Sequence, residues 1–135
     1  MLTITTREWL EEVRFLDARI EALDELIDRT RSRLYGSKSS GLSGMPGGKG
    51  GDWTNLFTRI EGLEEEKTQL KQMLDEAKAL FRSLPRSEHR TAMELYYVRG
   101  LSEPKIALSM GVDLRTIQRW KAAATEIIEK KRTGV

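Results

Sequence analysis

The chain has 135 residues, of which 39% are hydrophobic and 33% charged, a balance typical of exposed helices with narrow apolar stripes. It has no cysteine, which excludes disulfides and thiolate metal sites, and its single histidine, His89, cannot form a metal site alone. We therefore expect no metal and no other cofactor. No apolar run approaches the ~20 residues of a membrane span and no signal peptide is evident, which predicts a cytoplasmic protein.

The first predicted element is a long helix from about Thr6 to Leu34. Thr5 and Glu8 are three positions apart at its start, as in a capping box, where each side chain accepts a hydrogen bond from the other residue's backbone amide. Apolar residues then recur at alternating steps of four and three, the spacing of a coiled-coil seam. The seam, which includes one threonine, consists of Trp9, Val13, Leu16, Ile20, Leu23, Ile27, Thr30 and Leu34.

A glycine-rich segment, 36–52, separates this helix from the next. Its seven glycines, four serines and one proline leave nothing to pack, so we predict a flexible loop that connects two antiparallel helices. The segment resembles a phosphate-binding P-loop only superficially, because Gly50 follows Lys49 where that motif requires Ser or Thr. Nucleotide binding is therefore not expected.

The second long helix is expected to begin near Trp53 or Thr54 and to end before Pro85. Its seam is interrupted by one lysine, and a single polar residue in such a seam commonly specifies register or partner number at some cost in stability. The seam consists of Leu56, Ile60, Leu63, Lys67, Leu70, Leu74, Ala77, Phe81 and Leu84. The two helices and their loop predict an antiparallel helical hairpin, a coiled coil, over residues 1–84.

A hairpin of this kind has one apolar seam per helix. If Leu10, Phe15 and Leu26 form a second apolar face, that face requires a further partner, either the C-terminal domain or a second subunit. We therefore expect residues 1–84 to form a homo-oligomer, in the simplest case a dimer, or to dock on another protein. The alternative is an intramolecular hairpin that remains monomeric.

A third helix is predicted from Ser87 to Val98, with Gly100 as its C-terminal cap. Tyr96 and Tyr97 are adjacent and must point in different directions on a helix, so one is expected in a core and the other at its rim. His89 is expected on the surface with no special role.

Residues 102–121 have the pattern of a helix, a tight turn and a second helix. Gly111 is expected in the turn, where the left-handed backbone conformation costs glycine least, with Ser102 and Asp113 as the N-caps of the two helices. The positions expected to face a shared core are Ile106, Ala107, Met110, Val112, Ile117 and Trp120. Residues 85–135 are therefore predicted to form a small helix-turn-helix domain.

Positive charge is concentrated in that domain. Residues 85–135 have 10 Lys/Arg and 6 Asp/Glu, a net charge of +4, whereas residues 1–84 have 13 and 15, a net charge of −2. Attraction to phosphates requires a local excess of this kind rather than a high total charge. Together with the helix-turn-helix pattern, the excess predicts binding to double-stranded DNA.

The second helix of the motif, residues 113–124, is expected to enter the major groove. Its outward side carries Arg115, Gln118 and Arg119, which we expect at base edges, since arginine suits guanine and glutamine suits adenine. Phosphate contacts position a protein without specifying sequence. The residues expected to make them are Ser102, Thr116 and Lys121.

The segment LPRSEHRTAMELYYVRGLSEPKIALSMGVDLRTIQRW, residues 84–120, resembles the fourth region of bacterial sigma factors, which recognises the promoter −35 element. The matching features are Tyr97-x-x-Gly100-Leu101-Ser102, Ile106-Ala107, Met110-Gly111-Val112 and Thr116-Ile117. This resemblance implies promoter DNA as a ligand and RNA polymerase as a further partner. It does not imply a complete sigma factor, because the regions that bind the −10 element have no counterpart.

Over its whole length the chain resembles phage transcriptional regulators of the ArpU/RinA type. The resemblance rests on the heptad helices, on the glycine-rich loop with Gly44-Met45-Pro46 and on the C-terminal domain. It implies a phage-encoded regulator that acts on DNA in the cytoplasm of the bacterial host, in association with the nucleoid.

Two alternatives to a transcriptional regulator remain open. One is a protein like the small terminase subunit, which recognises DNA for packaging and also joins a helix-turn-helix to an oligomerising helical part, usually with the DNA-binding part first. The other is a coiled-coil adaptor whose C-terminal domain binds protein. An enzyme is not expected, since no carboxylate pair, nucleophile–base set or metal cluster stands out.

Overall fold

The computed structural model describes residues 4–41 and 50–134, with the side chains of 36–41 and 50–52 left out of the description. All regular secondary structure in this part of the chain is helical, which confirms the predicted all-α class. The α-helices are α1 (Thr6–Gly41), α2 (Gly50–Arg82), α3 (Ser87–Met93), α4 (Glu103–Met110) and α5 (Leu114–Thr133), and a single π-helical turn, the π turn (Glu94–Val98), follows α3.

The chain forms two compact units, which are described separately. The C-terminal unit contains the described residues up to Asp17 and from Gln72 onward, and the hairpin unit contains those within Ala18–Lys71. The boundary expected after residue 84 thus lies inside the C-terminal unit, because the start of α1 and the end of α2 both belong to that unit. The Phe81 ring of α2 lies 6.0 Å from the Tyr97 ring, and the Arg132 guanidinium of α5 lies 4.5 Å from the Trp9 ring of α1.

The capping box at the start of α1 is present as predicted. The Thr5 amide donates to Glu8 Oε1 at 2.9 Å, and the Glu8 amide donates to Thr5 Oγ1 at 3.1 Å. Hydrogen bonds from Thr5 hold the pKa of Glu8 below its usual value, because they favour the charged carboxylate. The first turn of α1 therefore has reciprocal partners for two amides that the helix itself cannot satisfy.

In the hairpin unit, α1 and α2 run antiparallel. As residue numbers rise along α1 they fall along α2, since Asp24 pairs with Lys67 and Arg31 pairs with Glu64. Residues of both predicted seams pack together here, in a buried cluster of Ile27, Leu34 and Ile60 that Leu56 and Leu63 pack against. Thr30 is tolerated in the seam because its hydroxyl donates to the Leu26 carbonyl at 2.8 Å.

The expected limits of the loop, residues 36 and 52, are wrong. Helix α1 continues to Gly41 and α2 already begins at Gly50, so only the centre of the expected loop, residues 42–49, lies outside the described residues. Starting a helix is the costly step, whereas extending one through a glycine costs about 1 kcal/mol per residue. Glycine content alone therefore does not mark where a long helix ends.

The third helix spans the predicted residues 87–98, but its last turn is π-helical. The Arg99 amide donates to the Glu94 carbonyl at 3.0 Å, a bond across five residues, and Gly100 then takes the left-handed conformation at φ 73°. Tyr97 is buried and Tyr96 half-buried, as the difference in their directions predicts. Single π turns inserted in helices occur frequently at functional sites.

The expected surface position of His89 is also wrong. Its side chain is only 4% exposed, and it lies in α3 with the buried Ala92 and Met93. Burial lowers the pKa of His89, because the charged imidazolium loses its hydration, and the nearby Arg86 acts in the same direction. His89 Nδ1 has no hydrogen-bond partner. His89 lies on the same side of α3 as Ala92 and Met93, three and four positions on, but a histidine is compatible with either burial or exposure there, so the packing of the surrounding helices decides.

Candidate functional site

Helices α4 and α5 pack across a small apolar cluster that their sequence pattern predicts. Ile106 and Ala107 of α4 and Ile117 of α5 are buried in it. The half-buried residues around them are Leu95, Tyr96, Leu101, Met110, Val112 and Trp120. All the predicted core positions of this motif are therefore confirmed, and the apolar side of α5 is held against the rest of the domain.

The turn between the two helices depends on Gly111. Its backbone lies in the left-handed region, at φ 72° and ψ 32°. The Val112 amide donates to the Ala107 carbonyl at 3.0 Å and the Gly111 amide to the Leu108 carbonyl at 3.4 Å, a Schellman motif. Glycine is favoured here because any other L-residue is strained at positive φ. Only residues 111–113 separate α4 from α5, which is the tight turn that the sequence predicts.

The two predicted N-caps are present. Ser102 Oγ accepts from the Lys105 amide at 3.3 Å, and Asp113 Oδ1 accepts from the Thr116 amide at 2.9 Å. The Thr116 hydroxyl also donates to Asp113 Oδ1 at 2.5 Å, and these bonds hold the pKa of Asp113 below its usual value. Thr116, an expected phosphate contact, thus uses its hydroxyl hydrogen in the cap. Ser102 serves its cap as an acceptor, so its own hydroxyl hydrogen is not required there.

The outward side of α5 carries the expected base-contacting residues. Arg115, Gln118 and Arg119 are all exposed; the two arginines lie on the side of α5 opposite to the buried Ile117, and Gln118 lies beside them. Neither arginine is used in the core of the domain. A rigid helix thus presents two guanidinium groups and one amide to the surroundings within its first two turns.

Lys121 does not lie on this outward side as expected. Its side chain is 14% exposed, and Nζ forms a 2.7 Å ion pair with Glu103 Oε2 at the start of α4. Nζ also lies 3.3 Å from the centroid of the Tyr96 ring. An ammonium group with a carboxylate and an aromatic face as partners is largely desolvated, so Lys121 ties α5 to α4 and to the π turn.

Glu103 is the residue of this site that the sequence does not predict. Its carboxylate accepts from Lys121 Nζ through Oε2 and from Gln118 Nε2 through Oε1, the latter at 3.3 Å. The hydrogen bond from Lys121 holds the pKa of Glu103 below its usual value, and the hydrogen bond from Gln118 adds a smaller effect in the same direction. Glu103 is 18 positions from Lys121 in the chain, so no helical spacing joins them. Only the packing of α4 on α5 brings the three side chains together.

Arg14 extends this network to the first helix. Its Nη1 donates to the Tyr96 hydroxyl at 2.9 Å, and its guanidinium lies 3.9 Å from the ring centroid. Tyr96 therefore contacts two cations, Arg14 from α1 and Lys121 from α5. At the far end of α5, Lys130 and Lys131 are exposed.

Comparisons with protein-family models, with curated proteins and with solved structures found no match to this chain. Among the described residues, no cluster of His, Cys, Asp or Glu has the arrangement of a metal site. None of the described helices combines the length and apolar character of a membrane span.

Proposed function

We propose that this protein is a sequence-specific DNA-binding transcriptional regulator that inserts α5 into the major groove. The observation that carries the proposal is the contrast between the two sides of α5. One side is fixed against α4 through Ile117, and the opposite side exposes Arg115 and Arg119 in the first two turns, with Gln118 exposed beside them. Helix-turn-helix proteins contact base edges with a helix that packs on the domain through one side and exposes side chains near its N-terminus.

The chemistry of the exposed side chains suits this role. Arg115 and Arg119 each carry a planar guanidinium that can donate two parallel hydrogen bonds to O6 and N7 of guanine. Gln118 has an amide that can pair with N6 and N7 of adenine. Ser102, at the N-terminus of α4, can donate its hydroxyl hydrogen to a phosphate. Lys121 is left out of the proposed contacts because Glu103 neutralises it.

The proposal extends to the source and assembly of the protein. The resemblance to phage regulators supports a regulator that works in a bacterial host, with DNA and RNA polymerase as partners. Large apolar side chains that the single chain does not cover support a homo-oligomer, in the simplest case a dimer. Examples are Phe15, 57% exposed, and Phe57, 46% exposed. Sedimentation velocity at several concentrations tests this part, and a monomer throughout, with and without DNA, rejects it.

The decisive experiment is a titration with DNA duplexes. The full-length protein selects its site from a random duplex pool, and fluorescence anisotropy then compares the selected duplex with a scrambled one over a range of salt. We expect a preference for the selected duplex and an affinity that falls linearly on a log–log plot against salt. In Arg119→Ala the preference should fall about tenfold or more, because one bidentate contact is lost.

Arg29→Ala is the matched control, since it removes the same charge from an exposed position of α1. It should keep the preference for the selected duplex. Circular dichroism checks that both variants remain helical. Unchanged affinity and preference in Arg119→Ala reject its assigned role, and wild-type protein without salt-dependent binding rejects DNA binding altogether and favours the adaptor. A ring-shaped assembly on DNA favours a terminase-like protein.

A further inference from the structure

Gln118 is an exposed residue of α5 whose amide is nevertheless held from one side. Glu103 Oε1 accepts a hydrogen bond from Gln118 Nε2 at 3.3 Å, and the other oxygen of the same carboxylate is bound to Lys121 at 2.7 Å. Glu103 and Lys121 are partly buried, with side chains 25% and 14% exposed, so the ion pair forms a fixed support beneath the amide. The exposed end of Gln118 is therefore attached to a rigid group.

The charge of Glu103 decides which way the amide faces. The ammonium group of Lys121 keeps the carboxylate ionised, and an ionised carboxylate can only accept hydrogen bonds. The Gln118 atom that faces Glu103 must then be the nitrogen, because the amide oxygen would place two acceptors against each other. This orientation follows from the chemistry of the pair.

The fixed orientation leaves a specific edge for a ligand. An amide nitrogen has two hydrogens, and Glu103 uses one of them. The amide oxygen and the second hydrogen remain, so the outward edge presents one acceptor beside one donor. In the major groove adenine offers the complementary pair, a donor at N6 and an acceptor at N7. Guanine offers two acceptors, and thymine offers an acceptor and a methyl group.

We propose that Glu103 is a positioning residue that sets the Gln118 amide so that α5 selects adenine at one base pair of its site. This inference rests on the proposed DNA-binding function and adds a specificity determinant to it. Against the two acceptors of guanine, the fixed amide can donate only its free hydrogen and places its oxygen beside the other acceptor. Turning the amide over to offer guanine both hydrogens directs its oxygen at the Glu103 carboxylate instead. The repulsion between those oxygens disfavours the wrong base, although Glu103 itself does not contact DNA.

The test uses the full-length protein and the duplex that the wild type selects from a random pool. Each position is changed in turn to the other three base pairs, and the position at which Gln118→Ala abolishes the preference is the one assigned to Gln118. At that position the wild type should prefer adenine to guanine, and Glu103→Gln should lower the ratio of affinities about tenfold. A neutral amide at 103 can donate or accept, so Gln118 can turn either way.

The ratio of two affinities is used because removing a negative charge tightens binding to every duplex alike. Glu129→Gln, which removes the same charge from an exposed position of α5, should leave the ratio unchanged. In the Gln118→Ala background, Glu103→Gln should have no further effect on the ratio, since the group that it orients is absent. A loss of fold or a general weakening would instead lower both affinities and leave the ratio as it was.

Each outcome decides one of the two proposals. Wild-type protein without sequence preference overturns the proposed function. Specific binding with an unchanged adenine-to-guanine ratio in Glu103→Gln, or with no position affected by Gln118→Ala, overturns only the role of Glu103. If Glu103→Gln does not fold at the binding temperature, Glu103→Asp replaces it. That variant keeps the charge beside Lys121 but withdraws the carboxylate from Gln118 by one methylene, and the same fall in the ratio is expected.

Discussion

Arg14 and Tyr96 are 82 positions apart in the chain, and Arg14 Nη1 donates a 2.9 Å hydrogen bond to the Tyr96 hydroxyl. The Arg14 guanidinium also lies 3.9 Å from the centroid of the Tyr96 ring. Because Lys121 contacts the same ring, one aromatic side chain joins α1, the π turn and α5. Tyr96 thus connects α5, which carries the candidate DNA contacts, to α1.

Arg14→Met should lower the free energy of unfolding by about 1–2 kcal/mol, because it removes a charged hydrogen bond and a cation–π contact. Tyr96→Phe removes the hydroxyl but keeps the ring, so its cost should be smaller. Urea titrations measure both values. Arg19→Met, at an exposed position of α1, is the control and should change little. A Tyr96→Phe loss equal to or larger than that of Arg14→Met would show that the ring contact contributes nothing.

Glycine-to-alanine substitutions at two positions should have opposite effects. A Cβ at Gly111 or at Gly62 meets no atom within 4 Å, so neither change causes a clash. Gly111 has φ 72°, where alanine is strained by about 1–2 kcal/mol, so Gly111→Ala should destabilise the protein. Gly62 lies inside α2, where alanine is favoured by about 0.5–1 kcal/mol, so Gly62→Ala should stabilise it. The change in melting temperature gives the sign of each effect, and changes of the same sign in Gly111→Ala and Gly62→Ala contradict this prediction.

His89 should make stability depend on pH near neutrality. Burial lowers its pKa in the folded chain below the ordinary value of about 6.5, so the unfolded chain binds the proton more readily. The free energy of unfolding should therefore be greatest above pH 6.5 and decrease as the pH falls from there toward the folded pKa. This is the only histidine, and the carboxylates with lowered pKa values titrate at more acidic pH.

Urea titrations at pH 7.5 and 5.5 on the wild type and on His89→Leu measure this effect. The wild type should lose stability between the two pH values and His89→Leu should lose less, because leucine does not titrate. Equal losses in the two proteins would assign the pH dependence to other groups.

Lys67→Leu should make the hairpin more stable but less specific for one oligomeric state. Lys67 is half-buried in the seam and pairs with Asp24, a partly exposed pair of small net value. A leucine there completes the apolar stripe, and we expect a gain of about 1 kcal/mol in the free energy of unfolding. Lys71→Leu, at an exposed position, is the control. Sedimentation should show more than one oligomeric state for Lys67→Leu, and a loss of stability would mean that the ion pair outweighs the leucine.

The features that were predictable from sequence have causes within a few residues of each other. The Thr5–Glu8 capping box, the left-handed Gly111 and the Asp113 cap each depend on neighbours three or four positions away. The seams of α1 and α2 follow from helical periodicity, which is also local. For the same reason the exposed side of α5, with Arg115 and Arg119, was recognisable as the face opposite to Ile117.

The π turn and the ends of α1 and α2 near the loop were not predictable in the same way. A glycine-rich composition lowers helix propensity at every position but does not say where a helix stops. Likewise no residue type between Glu94 and Val98 predicts a π turn. The hydrogen bonds of a π turn differ from those of an α-helix only in which carbonyl accepts.

The amino-acid sequence by itself determined the apolar seams of α1 and α2, where the motif turns and that Arg115 and Arg119 of α5 remain exposed, because each depends on spacing along one helix. Only the tertiary structure decided that His89 is buried, that Lys121 faces inward and that Glu103 holds Gln118. Those outcomes depend on side chains from separate helices that meet at distances of about 3 Å. No periodicity within a helix encodes such a meeting, because it exists only once α3, α4 and α5 have packed.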